Sequence, residues 1–294
     1  MVVRLIVLAL MGSSVAVGVS GQIKKQFSVE KIEPCNLVEL KLSAKTGNCF
    51  IRPSQNEDIL NIYSNQDLDE YAHSFSHELK GSTCKVNLSL EQAGERGVSQ
   101  KISYRVFGSD ERPSDKFWKV YLTENTPYSL DLEYGLGNAN IDLSGLSVQK
   151  LKIYTGSADV NISYNGGENK IDMDTFRVKV DMGSLTARQL NLARSKVVLA
   201  DVGFGNMFLD FSDTPKVNNH VIGSVGAGNL TIQLPADEVP VLVTINDSWL
   251  CSINLSRSLK KIAPNKYANA AYSKNSANAL VFDLDVSMGK IIFK

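Results

Sequence analysis

The chain has 294 residues, 43% of them hydrophobic, and its 31 Lys and Arg balance 31 Asp and Glu. That balance removes the electrostatic reason to expect nucleic acid or an anionic membrane surface as partner. The length suits one large β domain or two ordinary ones.

The first element, residues 1–21, has the anatomy of a secretory signal peptide. Arg4 supplies the positive end, residues 5–11 are apolar, and Val19 and Gly21 stand before a cut at Gln22. Gly12, Ser13 and Ser14 interrupt the run, which is short of the roughly 20 apolar residues of a spanning helix. The expectation is export to a periplasm, an outer surface or the medium, with no membrane span once the peptide is removed. Four cysteines follow: Cys35, Cys49, Cys84 and Cys251. An oxidising compartment allows two disulfides among them in three connectivities, and buried free thiols are an equal alternative. Their wide spacing excludes a zinc ribbon or a CxxC redox pair.

Residues 22–115 read as an N-terminal β region, with strands at 36–42, 49–52, 60–63, 85–90 and 101–107. Residues 67–79 are ambiguous. Leu68, Tyr71, Ala72, Phe75 and Leu79 fit a helix face, whereas Tyr71, Phe75 and Leu79 also fit one face of a strand, which the context favours. A soft boundary falls near Asp115.

Residues 116–294 are dominated by period-two alternation, as in Tyr128, Leu130, Leu132 and Tyr134, or Phe282, Leu284, Val286 and Met288. A glycine motif punctuates the runs. Its copies stand at Gly135 and Gly137, Gly156, Gly183, Gly203 and Gly205, Gly226 and Gly228, and Gly289, with Gly47 as an early one. Glycine followed by Asn or Asp tolerates positive φ and turns the chain, after which alternation resumes. Repetition at roughly 20–27 residues points to stacked strand–turn units burying a continuous core. The expected fold is all-β, an irregular single-stranded β-solenoid with closing C-terminal strands. A β-sandwich is the runner-up.

Candidate chemistry is sparse. His73 and His77 would share a face on a helix but suit chelation poorly on a strand, so no metal is expected, and no cofactor. Asp131, Glu133, Asp142, Asp159, Asp172, Asp174 and Asp181 recur on polar faces, where a polysaccharide-active enzyme would place its acid and base. Lys150, Lys152, Lys170, Arg177 and Lys179 are interleaved with them, a pattern of cross-strand ion pairing. Trp118, Tyr121 and Tyr128 would form either a glycan platform or a buried junction. The glycine-rich stretch 223–228 precedes a strand, so helix-terminus phosphate binding does not apply.

The segment from Phe117-Trp-Lys-Val-Tyr-Leu through Pro127, Leu130-Asp-Leu, Gly135-Leu-Gly-Asn and Asp142-Leu-Ser-Gly-Leu resembles bacterial toast-rack β-solenoid domains. These occur in cell-wall-active-antibiotic-response proteins and adhesin-head domain proteins. The resemblance extends over most of residues 36–294 and is strongest over 117–234. It implies an extracytoplasmic β-solenoid of a bacterium, with a role in surface interaction or envelope-stress sensing, and it supplies no catalytic residues. The expected function is non-enzymatic: an exported solenoid presenting a surface to an envelope protein or glycan. The alternative is a polysaccharide-active enzyme using the acidic residues of the solenoid face.

Overall fold

A computed structural model describes residues 23–31, 33–66, 71–92, 117–273 and 276–294. The signal peptide expected over 1–21, the strand expected at 101–107 and the boundary near Asp115 lie outside the described residues. Within them the chain forms twenty-one strands and one 3-10 turn at Leu190–Ala193.

The strands are β1 (Lys24–Val29), β2 (Leu37–Ser54), β3 (Leu60–Ser64), β4 (Tyr71–Lys80), β5 (Thr83–Gln92), β6 (Phe117–Thr123), β7 (Pro127–Asp142), β8 (Ser147–Thr155), β9 (Asp159–Ser163), β10 (Met173–Val180) and β11 (Ser184–Ala187). The remainder are β12 (Ser195–Val202), β13 (Asn206–Asp210), β14 (Asn219–Val225), β15 (Asn229–Gln233), β16 (Val241–Asp247), β17 (Ser252–Asn254), β18 (Lys260–Ala263), β19 (Lys266–Ala268), β20 (Leu280–Val286) and β21 (Lys290–Phe293). The ambiguous stretch is strand from Tyr71 onward.

Each coil runs up one wall, turns a tight corner and runs along a second wall. β2 and β7 do this as continuous strands, pairing in parallel from Val38↔Tyr128 to Ile51↔Ile141. In the next coils the two halves are separate strands: β8 then β9, β10 then β11, β12 then β13, β14 then β15. Every half pairs in parallel with its counterpart one coil away. This is a β-solenoid.

Alternation places one side chain of every two between the walls. Val86, Leu40, Leu130, Leu151, Phe176, Val198, Val221, Phe282 and Val243 stack in register as one buried column of the first wall. Each such side chain contributes roughly 1.5–3 kcal/mol by leaving water. Phe211, Phe282 and Phe293 fill the far end with edge-on ring contacts at 5.7 and 5.6 Å.

Chain order and spatial order part at both ends. β20 pairs with β14 on one side and β16 on the other, and β21 likewise with β15 and β17. The C-terminal coil, expected to close the stack, is therefore its penultimate coil. The end is formed by β16 and β17, with β18 and β19 folded antiparallel against the β16 edge. Sequence could not distinguish these arrangements, because a parallel coil offers the same pattern to a neighbour on either side. Lys260, Lys261 and Lys266 on the outer strands discourage a further chain from pairing there. At the opposite end, β5 and β4 extend the first wall, and β6, β3 and β1 the second.

The corner glycines owe their identity mostly to close approach rather than to φ. Of the expected turn glycines only Gly47 and Gly137 have positive φ, 99° and 115°. At Gly183, Gly205, Gly228 and Gly289 a Cβ would lie 2.1–2.3 Å from the carbonyl oxygen of the corner residue one coil below. Gly135, Gly156, Gly203 and Gly226 pack against the preceding coil in the same manner at the first corner position.

Candidate interaction surfaces

The acidic residues singled out in the sequence do not converge. Asp131 pairs with Lys152 at 3.1 Å, Asp172 with Arg194 at 2.7 Å and Asp174 with Lys196 at 3.2 Å, each across neighbouring coils. Asp181 accepts from the Tyr154 hydroxyl and lies 3.6 Å from Lys179, and that hydrogen bond raises the Tyr154 phenol pKa. Asp142 accepts from the Ser144 N–H at 3.0 Å, and Asp159 accepts from the Ser184 hydroxyl. Glu133 stands between Ser43 and Tyr154 in the same outer row. Among the basic residues, Lys170 reaches Glu124 at 3.0 Å and Arg177 reaches Asp201 at 3.7 Å. Lys150 stands between Ser129 and Thr175 in register.

The histidines are dispersed. His73 and His77 flank Phe75 on one face of β4, where Phe27 stacks on Phe75 at 4.6 Å and meets His73 at 5.5 Å. Phe27 and Phe75 pack against the core, and both imidazoles are exposed. His220 Nε2 lies 2.6 Å from Asp283 Oδ2, again between neighbouring coils, beside a cavity of about 350 Å³ that Lys196, Asn219 and Tyr272 help to line. Among the described residues no cluster of three or more His, Cys, Asp or Glu could hold a metal.

Cys35 and Cys84 form a disulfide with Cα atoms 5.7 Å apart. It ties the entry of β2 to β5. Cys49 is a buried free thiol on the inner face of β2, and burial pushes its pKa up to about 12 despite a contact with the Tyr134 hydroxyl. Cys251 is free and half-buried in the corner between β16 and β17.

The aromatic residues divide. Trp118 and Tyr128 are fully buried; the Tyr128 hydroxyl donates to Ile59 O at 2.7 Å and accepts from Thr123 N–H at 3.0 Å. They anchor the junction and form no platform. Tyr121 is on the outer face of the second wall, where sequence did not reveal its company. Tyr63 meets it edge-on at 5.7 Å, Phe50 meets Phe117 at 6.5 Å, and the Lys119 ammonium sits 4.8 Å from the Phe117 ring centroid. These residues come from β3, β6 and β2, adjacent in that order, and are half-buried. The outward positions of β6, at Phe117, Lys119 and Tyr121, were the available signal, but their neighbours come from strands distant in sequence.

Other buried polar side chains brace the edge opposite the corner. Asn169 accepts from Val148 N–H and donates to Val148 O and Ile171 O; Asn219 donates to Ser195 O. Asn269 accepts from Val241 N–H and donates to Val239 O. In the sequence, residues 163–170 with Gly166 and Gly167 read as a longer turn, and Asn169 falls within it.

No curated protein matches the chain. Among solved structures it is similar to a candidate cell adhesion protein from Clostridium sporogenes, with 18% identity, TM-score 0.44 and coverage of 93% of this chain and 99% of that one. It is also similar to a candidate adhesin from Bacteroides fragilis, with 13% identity, TM-score 0.34 and coverage of 94% and 98%. A third is a candidate lipid-binding protein from Parabacteroides distasonis, with 10% identity, TM-score 0.33 and coverage of 93% and 96%. Residues 18–188 match the family model described as the N-terminal domain of toast_rack, DUF2154, and the chain belongs to that family.

Proposed function

We propose that this chain is an exported, non-enzymatic solenoid that presents a rigid outer face to a glycan or a protein at the cell envelope, in the manner of an adhesin. The observation that carries the reading is the group of Tyr63, Tyr121, Phe50, Phe117 and Lys119 on three adjacent strands of the second wall. Half-buried aromatic rings fixed by a sheet offer contact area at little entropic cost, and Lys119 adds a cation to the same face. The acidic residues favour the same reading: six of the seven singled out are held in ion pairs or hydrogen bonds, an arrangement that maintains the stack. The apolar leader at residues 1–21 is the support for export.

The test is a glycan screen together with capture from envelope extracts, using the purified mature chain. Reproducible recovery of one glycan class or one protein is expected. Turnover of uronate or neutral glycans that disappears in Asp172→Asn or Asp174→Asn would instead establish the enzyme.

A further inference from the structure

The corner between the two walls carries a row of seven outward positions, of which Leu136, Met182, Phe204, Ala227 and Met288 are apolar and exposed. Thr46 stands opposite Leu136. The N–H groups of Ser157, Met182, Phe204, Ala227 and Met288 then donate to Gly135, Gly156, Asp181, Gly203 and Gly226 one coil below, at 2.7–2.8 Å. These positions therefore form a straight line, continued by Trp249 and Leu250 in the last coil. Leu136 is 60% exposed, Met182 67%, Phe204 75%, Met288 59% and Trp249 90%. At about 4.8 Å per coil, the line from Thr46 to Met288 is on the order of 29 Å long. Single exposed apolar residues need no explanation, but large ones gathered on one line mark an interaction site.

We propose that this row is the interface for a second copy of the chain, packed antiparallel about a two-fold axis through Met182. The order of side-chain sizes supplies the first reason. Moving outward from Met182, Phe204 on one side answers Ser157 on the other, Ala227 answers Leu136, and Met288 answers Thr46. A two-fold axis seats Phe204 of each copy over the Ser157 notch of its partner, Leu136 over the Ala227 notch and Met288 over Thr46. An isologous interface requires this self-complementarity.

The flanking rows supply the second reason. Along the first wall the same axis sets Asp201 opposite Tyr154, Glu133 opposite Ser224 and Asp285 opposite Ser43. Along the second it sets Asp159 opposite Asn206 and Lys290 opposite Asn48. The axis opposes like charges at its centre, Lys179 to Lys179 and Asp181 to Asp181, and within each copy these two lie 3.6 Å apart and offset one another. A standard interface buries about 800 Å² per copy, so the contact would extend from the row onto both flanks. An anionic bilayer fits less well, because the bordering acids Glu133, Asp159, Asp181, Asp201 and Asp285 outnumber the bases Lys45, Lys179 and Lys290.

This interface is independent of the aromatic face on the second wall. It is tested by sedimentation of the mature chain across a range of concentrations. A dimer is expected, weakened at least ten-fold by Phe204→Ser and by Ser157→Phe, both at exposed positions where the thermal midpoint stays unchanged. Combining the two substitutions moves the knob into its own notch and restores association. Met182→Cys in a Cys251→Ser background is expected to cross-link to itself under mild oxidation. A chain monomeric at every concentration would overturn the proposal, as would variants that associate like the wild type. Monomers that float with zwitterionic vesicles through this row would also overturn it and assign the row to lipid.

Discussion

The side-chain amide of Asn169 forms a two-way bridge with Val148, accepting its N–H at 2.7 Å and donating to its carbonyl at 2.7 Å. A third bond to Ile171 O at 2.8 Å leaves the fully buried amide satisfied at both ends. Where the coil breaks regular pairing, this side chain does the work of a strand backbone. Asn169→Ala strands buried backbone groups of two residues and is expected to cost about 2–4 kcal/mol in urea unfolding. Asn169→Asp keeps the acceptor, loses the donor and does not rescue.

Glycine substitutions separate close approach from backbone strain. A Cβ at Gly228 would meet Gly205 O at 2.2 Å and Val202 Cγ1 at 2.8 Å, with backbone on one side and core on the other. Gly228→Ala is expected to destabilise by about 3 kcal/mol. Gly81 has φ of 65° and open space around it, so Gly81→Ala meets only the left-handed penalty of about 1 kcal/mol. Equal losses in the two variants would refute the distinction.

Alkaline pH should weaken the fold. Burial holds the Cys49 thiol up to about 12 against an ordinary 9.0, and raises the Tyr128, Tyr134 and Tyr164 phenols above 10.0. The unfolded chain loses these protons first, so their contribution is complete below pH 9 and declines as pH rises toward 12. Denaturant midpoints measured from pH 7 to 11 are expected to fall only in the upper half of that range. In the native protein at pH 8 a thiol reagent should modify Cys251 and leave Cys49 intact until the chain unfolds.

Tyr164 buries its hydroxyl without a hydrogen-bond partner. Removing that group relieves a desolvation cost while keeping the ring, so Tyr164→Phe is expected to be neutral or stabilising by up to about 1 kcal/mol in the same unfolding measurement.

The strands and the stacking were legible in the sequence because both follow from local patterns. Alternation such as Leu130, Leu132 and Tyr134 marks an inner face wherever it occurs, and each corner glycine sits where neighbouring coils approach. What the sequence withheld was order in space. The C-terminal coil lies between β14 and β16 because a parallel coil offers the same edge on either side, and no residue states which neighbour will take it. The aromatic face was hidden for the same reason. Tyr63 and Tyr121 are far apart in the chain and meet only because β3 folds back on β6. Trp118 and Tyr128 fall on inward positions of β6 and β7, which gives them the buried-junction role, one of the two readings the sequence left open. The bracing role of Asn169 was invisible because an asparagine in a turn ordinarily faces water.

The most direct test of the proposed function compares residues 22–294 with a Tyr63→Ala, Tyr121→Ala double variant in binding to whichever glycan or envelope protein the screens recover. Both rings are half-buried on the outer wall, so the variant is expected to keep a cooperative thermal transition. The account predicts that a folded variant loses binding at least ten-fold. Undiminished binding by the folded double variant would contradict it.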